Sequence, residues 1–415
     1  MKKILILGGG FGGISTYQHL HKLVHPINVH NIKIELISRT NYFTFSPMLH
    51  EVATGSVNRE HIIHPLREIL RCCGKDFHQA TVTKIDPKKK IVHTDMGSHT
   101  YDILVIALGV EQSFFNIPGA SEHALALKWL PGAIAIRNRI IHSFEQASEM
   151  HDQRSGAEMD KFLQFVVVGG GATGTELAGQ ISDLIRKEMK QYYHDVPTQH
   201  AKVLFIHSGK RLLEQLSEKA SKKALSRLAS MGVQVLLGEQ VTKVTKNGVT
   251  LSSGSSIASN SVFWTAGTES VLPGIAPKSL LNERGLLAVS ATFQTQEYPE
   301  IFGIGDSARV TEPGYEYPPL AQAAVQSSHL VANNIIAYLR KKPLKKKRYY
   351  HKGDIIPIGN RFGIFEKKPF IVSGFFAWVL RRAIFILTIS GTANKLHILF
   401  DWAIALVLPR DTSEI

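Results

Sequence analysis

Six glycines carry the first chemical signal. Gly8, Gly10 and Gly13 repeat their spacing 161 residues later as Gly169, Gly171 and Gly174. Each set reads GxGxxG, and the chemistry of that spacing is the holding of a pyrophosphate. One glycine makes a tight turn, one lets the backbone approach the phosphates, and one packs a helix on a strand so that the helix N-terminus faces the anion. A lone copy is weak evidence. Here each copy follows a short apolar run, Ile4 to Leu7 and Phe165 to Val168, and precedes a helical pattern, so the chain reads as holding two dinucleotides. The acidic residue that usually binds a ribose about 20 residues on is missing from both copies. Ser38 stands at the end of the first such strand, where its hydroxyl can still bond a ribose. His207 ends the second, followed by Lys210 and Arg211, which weakens the usual reason for preferring NADH over NADPH.

Asp306 closes the apolar run from Ile301, at the strand edge where ligands sit in open α/β sheets; the competing reading is a plain helix cap. The only cysteines, Cys72 and Cys73, are adjacent, so the chain lacks a CxxC pair and the four thiolates of an iron–sulfur cluster. Redox chemistry must therefore use an organic cofactor. His21 with His25, and His61 with His64, have helical spacing, but no acidic or thiol partner completes either set, so no metal centre is expected.

The elements that must position these residues follow from length and pattern. A chain of 415 residues, 44% hydrophobic and 20% charged, fits two or three globular domains. The fold class is α/β, with two Rossmann-like, glutathione reductase-like dinucleotide domains and a C-terminal helical segment. The boundaries are a discontinuous FAD domain over 1–118 and 275–340, an NAD(P)H domain over 119–274, and a tail over 341–415. The net charge of +14 is concentrated, since residues 340–382 hold 13 Lys or Arg against Asp354 and Glu366. Beyond it, Pro369 to Leu380 and Ala383 to Asn394 are uncharged runs split by Arg381 and Arg382, too short to span a bilayer. They suit helices lying in the membrane interface, with Trp378, Trp402 and the arginines at headgroup level. The opening Met1 to Leu7 is too short in its apolar run for a signal peptide, so the chain reads as unexported.

Asn41 to Leu49 leading into Val52-Ala53-Thr54-Gly55, the Gly305-Asp306 pair, and Ala321-Gln322-Ala323-Ala324-Val325-Gln326 together resemble the type II NADH dehydrogenases, single-subunit flavoprotein NADH:quinone oxidoreductases, essentially end to end. The resemblance implies FAD held by Gly8, Gly10, Phe11, Gly12, Gly13, Ser38, Arg39, Thr44, Val82, Gly109 and Asp306. It implies a nicotinamide nucleotide held by Gly169, Gly171, Gly174, Glu176, His207 and Gly267, with Ala321 and Gln322 beside the flavin. Glu176, Gln322 and Gln326 are the implied catalytic residues, the two glutamines sharing a helix face where a quinone docks. The implied activity passes hydride from NADH, or NADPH as an alternative donor, to FAD and then two electrons to a membrane quinone, without proton pumping. The place implied is the cytoplasmic face of the cell membrane, in a respiratory chain. Residues 341–415 meet an anionic membrane surface there, no nucleic acid is bound, and a homodimer is an expected assembly. The rival readings are a FAD/NADH-binding redox sensor and a soluble ferredoxin-type reductase.

Overall fold

The computed structural model describes residues 1–24, 31–70, 74, 76–150 and 156–414, so Cys72, Cys73 and His25 lie outside the described residues. Two compact units divide the chain. The first comprises 1–44, 64–111 and 268–352, and the second 45–63, 112–267 and 353–415.

Each unit is built on a five-stranded parallel sheet. In the first unit the strand order is Ile301–Gly303, Ile103–Ile106, Lys2–Leu7, Ile32–Ser38, Phe77–Gln79. In the second it is Leu125–Ala126, Ser261–Trp264, Gln164–Val168, Lys202–His207, Val233–Leu237. The strand that feeds a glycine turn is the middle one in both. Its residues are buried on both faces, which explains the continuous apolar runs Ile4–Leu7 and Phe165–Val168 in place of alternation. Each unit also carries a three-stranded antiparallel sheet: Val82–Asp86, Ile91–Thr94 and Gly97–Thr100 in the first, Val241–Thr245, Gly248–Leu251 and Ser256–Ala258 in the second. The α/β class with two dinucleotide-type halves is thus present.

The tail does not form a region of its own, as the sequence had suggested. Residues 341–352 belong to the first unit because amides of helix Ala321–Leu339 lash them down. The Asn334 carboxamide bonds both the N–H and the C=O of Lys345, at 2.9 Å each, and Gln326 does the same to Tyr350 at 3.2 and 2.8 Å. The basic stretch is therefore an ordered strap. Residues 353–415 join the second unit through the antiparallel sheet Asp354–Pro357, Gly363–Lys367, Phe370–Gly374 and the helices Phe375–Thr388 and Thr392–Val407. The second unit also takes in residues 45–63. Asp401 accepts from the Asn58 backbone at 3.0 Å and lies 2.6 Å from His61 Nδ1, and Asn394 donates to the Ile63 carbonyl at 2.7 Å. His61 thus does have an acidic partner, delivered from 340 residues away.

Arg381 and Arg382 are the clearest departure from expectation. Both sit within the single helix Phe375–Thr388 rather than between two apolar segments. Arg381 is 2% exposed, as a charge must be when it is paired inside the fold, and Arg382 lies between the Trp378 and Trp402 rings at 3.7 and 4.7 Å.

Candidate active site

The two glycine turns match position by position. A Cβ on Gly8 would strike the Ala107 carbonyl, and one on Gly169 would come within 2.7 Å of the Ala266 nitrogen; both residues have φ near +110°, at 110° and 115°. One on Gly9 would meet Ser38 Oγ at 2.6 Å, and one on Gly170 would strike the His207 ring. One on Gly13 would strike the Gly8 carbonyl, and one on Gly174 the Gly169 carbonyl, which fixes the close seat of each helix. At Gly10 and at Gly171 a Cβ would meet nothing within 4 Å. Those two positions are small without any protein atom demanding it, which is what a backbone approached by a phosphate requires. Helices Phe11–Val24 and Ala172–Leu184 begin just beyond with no side-chain cap at Gly171 and no acid in the first turn of either, so their N–H groups remain available to an anion. The cradles fit FAD and a nicotinamide dinucleotide.

Around the first cradle Ser38 is buried, Phe11 packs edge-on to Phe43 at 4.9 Å, and Arg39 is paired with Glu111 at 2.9 Å. Thr44 ends the strand Tyr42–Thr44, and Val82 is buried at the start of Val82–Asp86. Gly109, at φ 73°, has open space where a side chain would stand. Asp306 lies in the one-turn helix Gly305–Ser307, whose cap position belongs to Ile304, so the plain-cap reading of Asp306 fails. Around the second cradle Gly267 is closed off by the Phe115 ring.

His207 is not the position bare of negative charge that the sequence suggested. Its Nδ1 accepts from the Gly170 N–H at 3.2 Å, and its Nε2 faces the Glu214 carboxylate at 4.0 Å. Arg211 donates to the carbonyls of Leu213, Leu216 and Glu214, so its guanidinium serves its own loop. A carboxylate thus stands beside His207, supplied from seven residues along the chain. A 2′-phosphate there would meet a carboxylate, and NADPH should be the poorer donor. Glu214→Gln should narrow the NADH:NADPH ratio of kcat/KM, and an unchanged ratio would remove Glu214 from donor selection.

Glu176 sits in the second turn of helix Ala172–Leu184. Within the second unit it meets a buried polar chain. Arg381 donates to Glu51 Oε1 at 2.6 Å, and Trp402 Nε1 donates to Glu51 Oε2 at 2.8 Å. Arg381 also lies 3.3 Å from His50 Nε2. Arginine only donates, so Nε2 accepts and the neutral imidazole carries its proton on Nδ1, which lies 3.3 Å from Glu176 Oε2. Burial and the Arg381 charge push His50 down to about 3, so it is neutral. Burial pushes Glu176 up to about 8, with Arg381 opposing and Glu51 assisting, so its carboxyl is protonated at neutral pH. Burial alone would raise Glu51, but Arg381, His50 and Trp402 overcome it and hold the carboxylate at about 2. Three acids and bases side by side are kept in three different states, a pattern typical of reaction sites.

The small-residue face of Ala321–Leu339 keeps Ala323 and Ala324 buried, and Ala324 lies 3.7 Å from where a Gly305 side chain would stand. Gln322 accepts from the Lys352 N–H at 3.2 Å, and Gln326 is bonded on both sides to Tyr350. The glutamines therefore hold the strap, a role the sequence did not signal. Gln326→Leu should loosen residues 349–352, read as faster amide exchange there, while a leucine variant with unchanged exchange would show that Gln326 does not hold the strap.

Residues 2–328 match the profile of the pyridine nucleotide-disulphide oxidoreductase family. The chain is 30% identical to the type II NADH:quinone oxidoreductase Ndh of Mycobacterium tuberculosis over 98% of this chain and 89% of that protein. This chain belongs to the type II NADH:quinone oxidoreductases. It is also 28% identical to the type II NADH:quinone oxidoreductase of Staphylococcus aureus, over 88% of this chain and 89% of that one. Its fold matches that of NDH2 from Plasmodium falciparum in complex with NADH at a TM-score of 0.89, with 20% identity and 99% of each chain covered.

As a type II oxidoreductase the chain has site-region residues that its sequence did not reveal. His50, Glu51, Arg381, Trp402 and Glu214 were not singled out as site residues. His50 and Glu51 lie inside the stretch that carried the resemblance, but nothing local marks a polar pair whose partner is 330 residues away. Arg381 was visible only as an interruption in an oily segment.

Proposed function

We propose that this chain oxidises NADH and reduces a membrane quinone, with FAD as its resident cofactor. The observation that carries the reading is the pair of matching cradles in one chain, each open at its second motif glycine, Gly10 and Gly171. One suits a redox cofactor and the other a hydride donor. When bound, FAD supplies the electron chemistry, accepting hydride from NADH and yielding two electrons to quinone.

The protein's own part is position and field. The turn at Gly8 to Gly13 with Ser38 and Asp306 holds FAD, and the turn at Gly169 to Gly174 with His207 and Glu214 holds the nucleotide. A protonated carboxyl at Glu176 can both donate to and accept from a carboxamide, which suits it to orient the nicotinamide, and His50 Nδ1 fixes the carboxyl's orientation. The N-terminus of Ala321–Leu339, which has no side-chain cap, offers positive partial charge to a cofactor that gains electrons. Ala321 and Gln322 stand in that first turn.

The tail helices support a peripheral seat on the membrane, and the cytoplasmic face, where NADH is made, is the side we propose. No helix among the described residues is long and apolar enough to cross a membrane. Yet Phe376, Leu387, Phe400 and Val407 are 77%, 77%, 66% and 84% exposed, with Phe370, Leu396 and Leu408 also in the open. So much exposed apolar surface on two adjacent helices suits insertion into the interface.

Anaerobic mixing with NADH should bleach the flavin, and a soluble quinone should restore its colour. Bleaching without reoxidation would favour a redox sensor over an oxidoreductase. Salt should release the protein from anionic vesicles only partly, since apolar insertion does not screen; complete release would leave electrostatics as the sole anchor.

A further inference from the structure

The first unit holds a cluster that nothing in the flavin or quinone chemistry uses. Strand Ile32–Ser38 pairs in parallel with Lys2–Leu7 on one side, Lys3 opposite Lys33, and with Phe77–Gln79 on the other, His78 opposite Ile37. Alternation puts Lys33, Glu35 and Ile37 on one sheet face, and their cross-strand neighbours Lys3 and His78 on the same face. Strand Gly97–Thr100 of the antiparallel sheet brings His99 to this face, its ring 4.7 Å from that of His78. Glu35 Oε2 lies 3.6 Å from His78 Nε2 and 3.8 Å from His99 Nδ1, and the three ligand atoms all fall within 4.8 Å of one another. With metal–ligand bonds of about 2.0–2.2 Å, tetrahedral ligands stand about 3.3–3.6 Å apart, close to what the cluster already shows.

We propose that Glu35, His78 and His99 form a site for a divalent transition-metal ion of the Zn2+ type, completed by water. Two imidazoles and one carboxylate are the borderline ligand set such ions prefer. Glu35 is 3% exposed, and His78 Nε2 is buried and makes no hydrogen bond, an imidazole nitrogen aimed into the cluster with nothing to bind there. Among the described residues no other group of three such ligands has this geometry.

Lys3 is the competitor. Its ammonium lies 2.6 Å from Glu35 Oε2, the oxygen that faces the imidazoles, whereas Lys33 lies 2.7 Å from Oε1 and is shared with Asp76 at 3.4 Å. A bound ion must move Lys3, a partly exposed residue on a flexible stem, and leaves Lys33 in place. Binding would tie the antiparallel sheet to the edge strand Phe77–Gln79 and to its neighbour Ile32–Ser38, three residues before Ser38.

Titration of the FAD-loaded, full-length protein with Zn2+ alone, followed by calorimetry and thermal melting, tests this. One ion per chain is expected, with a higher melting temperature. His78→Gln and His99→Gln should each lose this site, and Lys3→Met should tighten it about tenfold by removing the competing cation. The opposite signs separate the cluster from adventitious binding at the other histidines. Zn2+ binding that survives both histidine variants, or a wild-type chain that binds none, overturns the proposal. So does a Lys3→Met variant that binds no more tightly than wild type.

Discussion

Arg381→Met is expected to destabilise the protein by about 3–5 kcal/mol, because it leaves the Glu51 carboxylate buried with its principal counter-charge gone. The pair closes across 330 residues, with Arg381 2% and Glu51 3% exposed, so no solvent can substitute for the lost guanidinium. Replacing both partners, Glu51→Met with Arg381→Met, should recover most of the loss, since a well-packed apolar pair avoids the desolvation cost altogether. Denaturant midpoints of the two single variants and the double variant measure the coupling. A midpoint for Arg381→Met equal to that of the wild type would mean that Glu51 is not held as an ion.

Glu176→Gln is expected to change how stability depends on pH, and to slow flavin reduction by NADH far more than it lowers the melting temperature at pH 5. The folded carboxyl titrates at about 8, whereas an unfolded glutamate titrates near its ordinary value of 4.5. Between those values the native state holds a proton that the unfolded state has released, so stability falls as pH rises, by up to about 1.4 kcal/mol per unit. Glutamine carries no such proton. The variant should therefore gain on the wild type steadily from pH 5 to 8, and parallel stability curves would show that Glu176 is ionised in the fold. His50 works from the other side: folded at about 3 against an ordinary 6.5, it costs stability as pH falls through that interval. Glu51, held at about 2, adds stability that is lost as pH drops below the ordinary carboxylate range. Together the three groups place the best stability of the second unit between about pH 4.5 and 6.5.

The glycine cradles were legible in the sequence because the motif is contiguous: the strand before, the seat of Gly13 on Gly8 and of Gly174 on Gly169, and the helix after follow one another along the chain. The buried parallel strands were legible for the same reason, as unbroken apolar runs. What the sequence concealed is whatever required a distant partner. Gln322 and Gln326 looked like free amides because nothing in their own helix says that Tyr350 and Lys352 will return alongside. Arg381 and Arg382 looked like an interfacial break because an arginine bound for a buried carboxylate and one bound for a lipid headgroup are the same letter. The carboxylate beside His207 is Glu214, which the strand end did not announce because it comes from the loop that follows.

The second unit is fastened late. Arg381 neutralises Glu51, Arg410 lies 3.3 Å from Glu188 with both buried, and Asp411 pairs with Arg137 at 3.0 Å. During synthesis the carboxylates at 51 and 188 and the guanidinium at 137 emerge long before the groups that neutralise them, and the chain grows at about 5–20 residues per second. For that interval the unit is a half-charged shell whose interior cannot close without burying bare ions. Its cooperative folding must therefore wait until residue 411 has left the ribosome, whereas the parallel sheet of the first unit needs nothing beyond residue 303. A nascent chain arrested before residue 381 should protect the first unit from protease and leave the second one open to it.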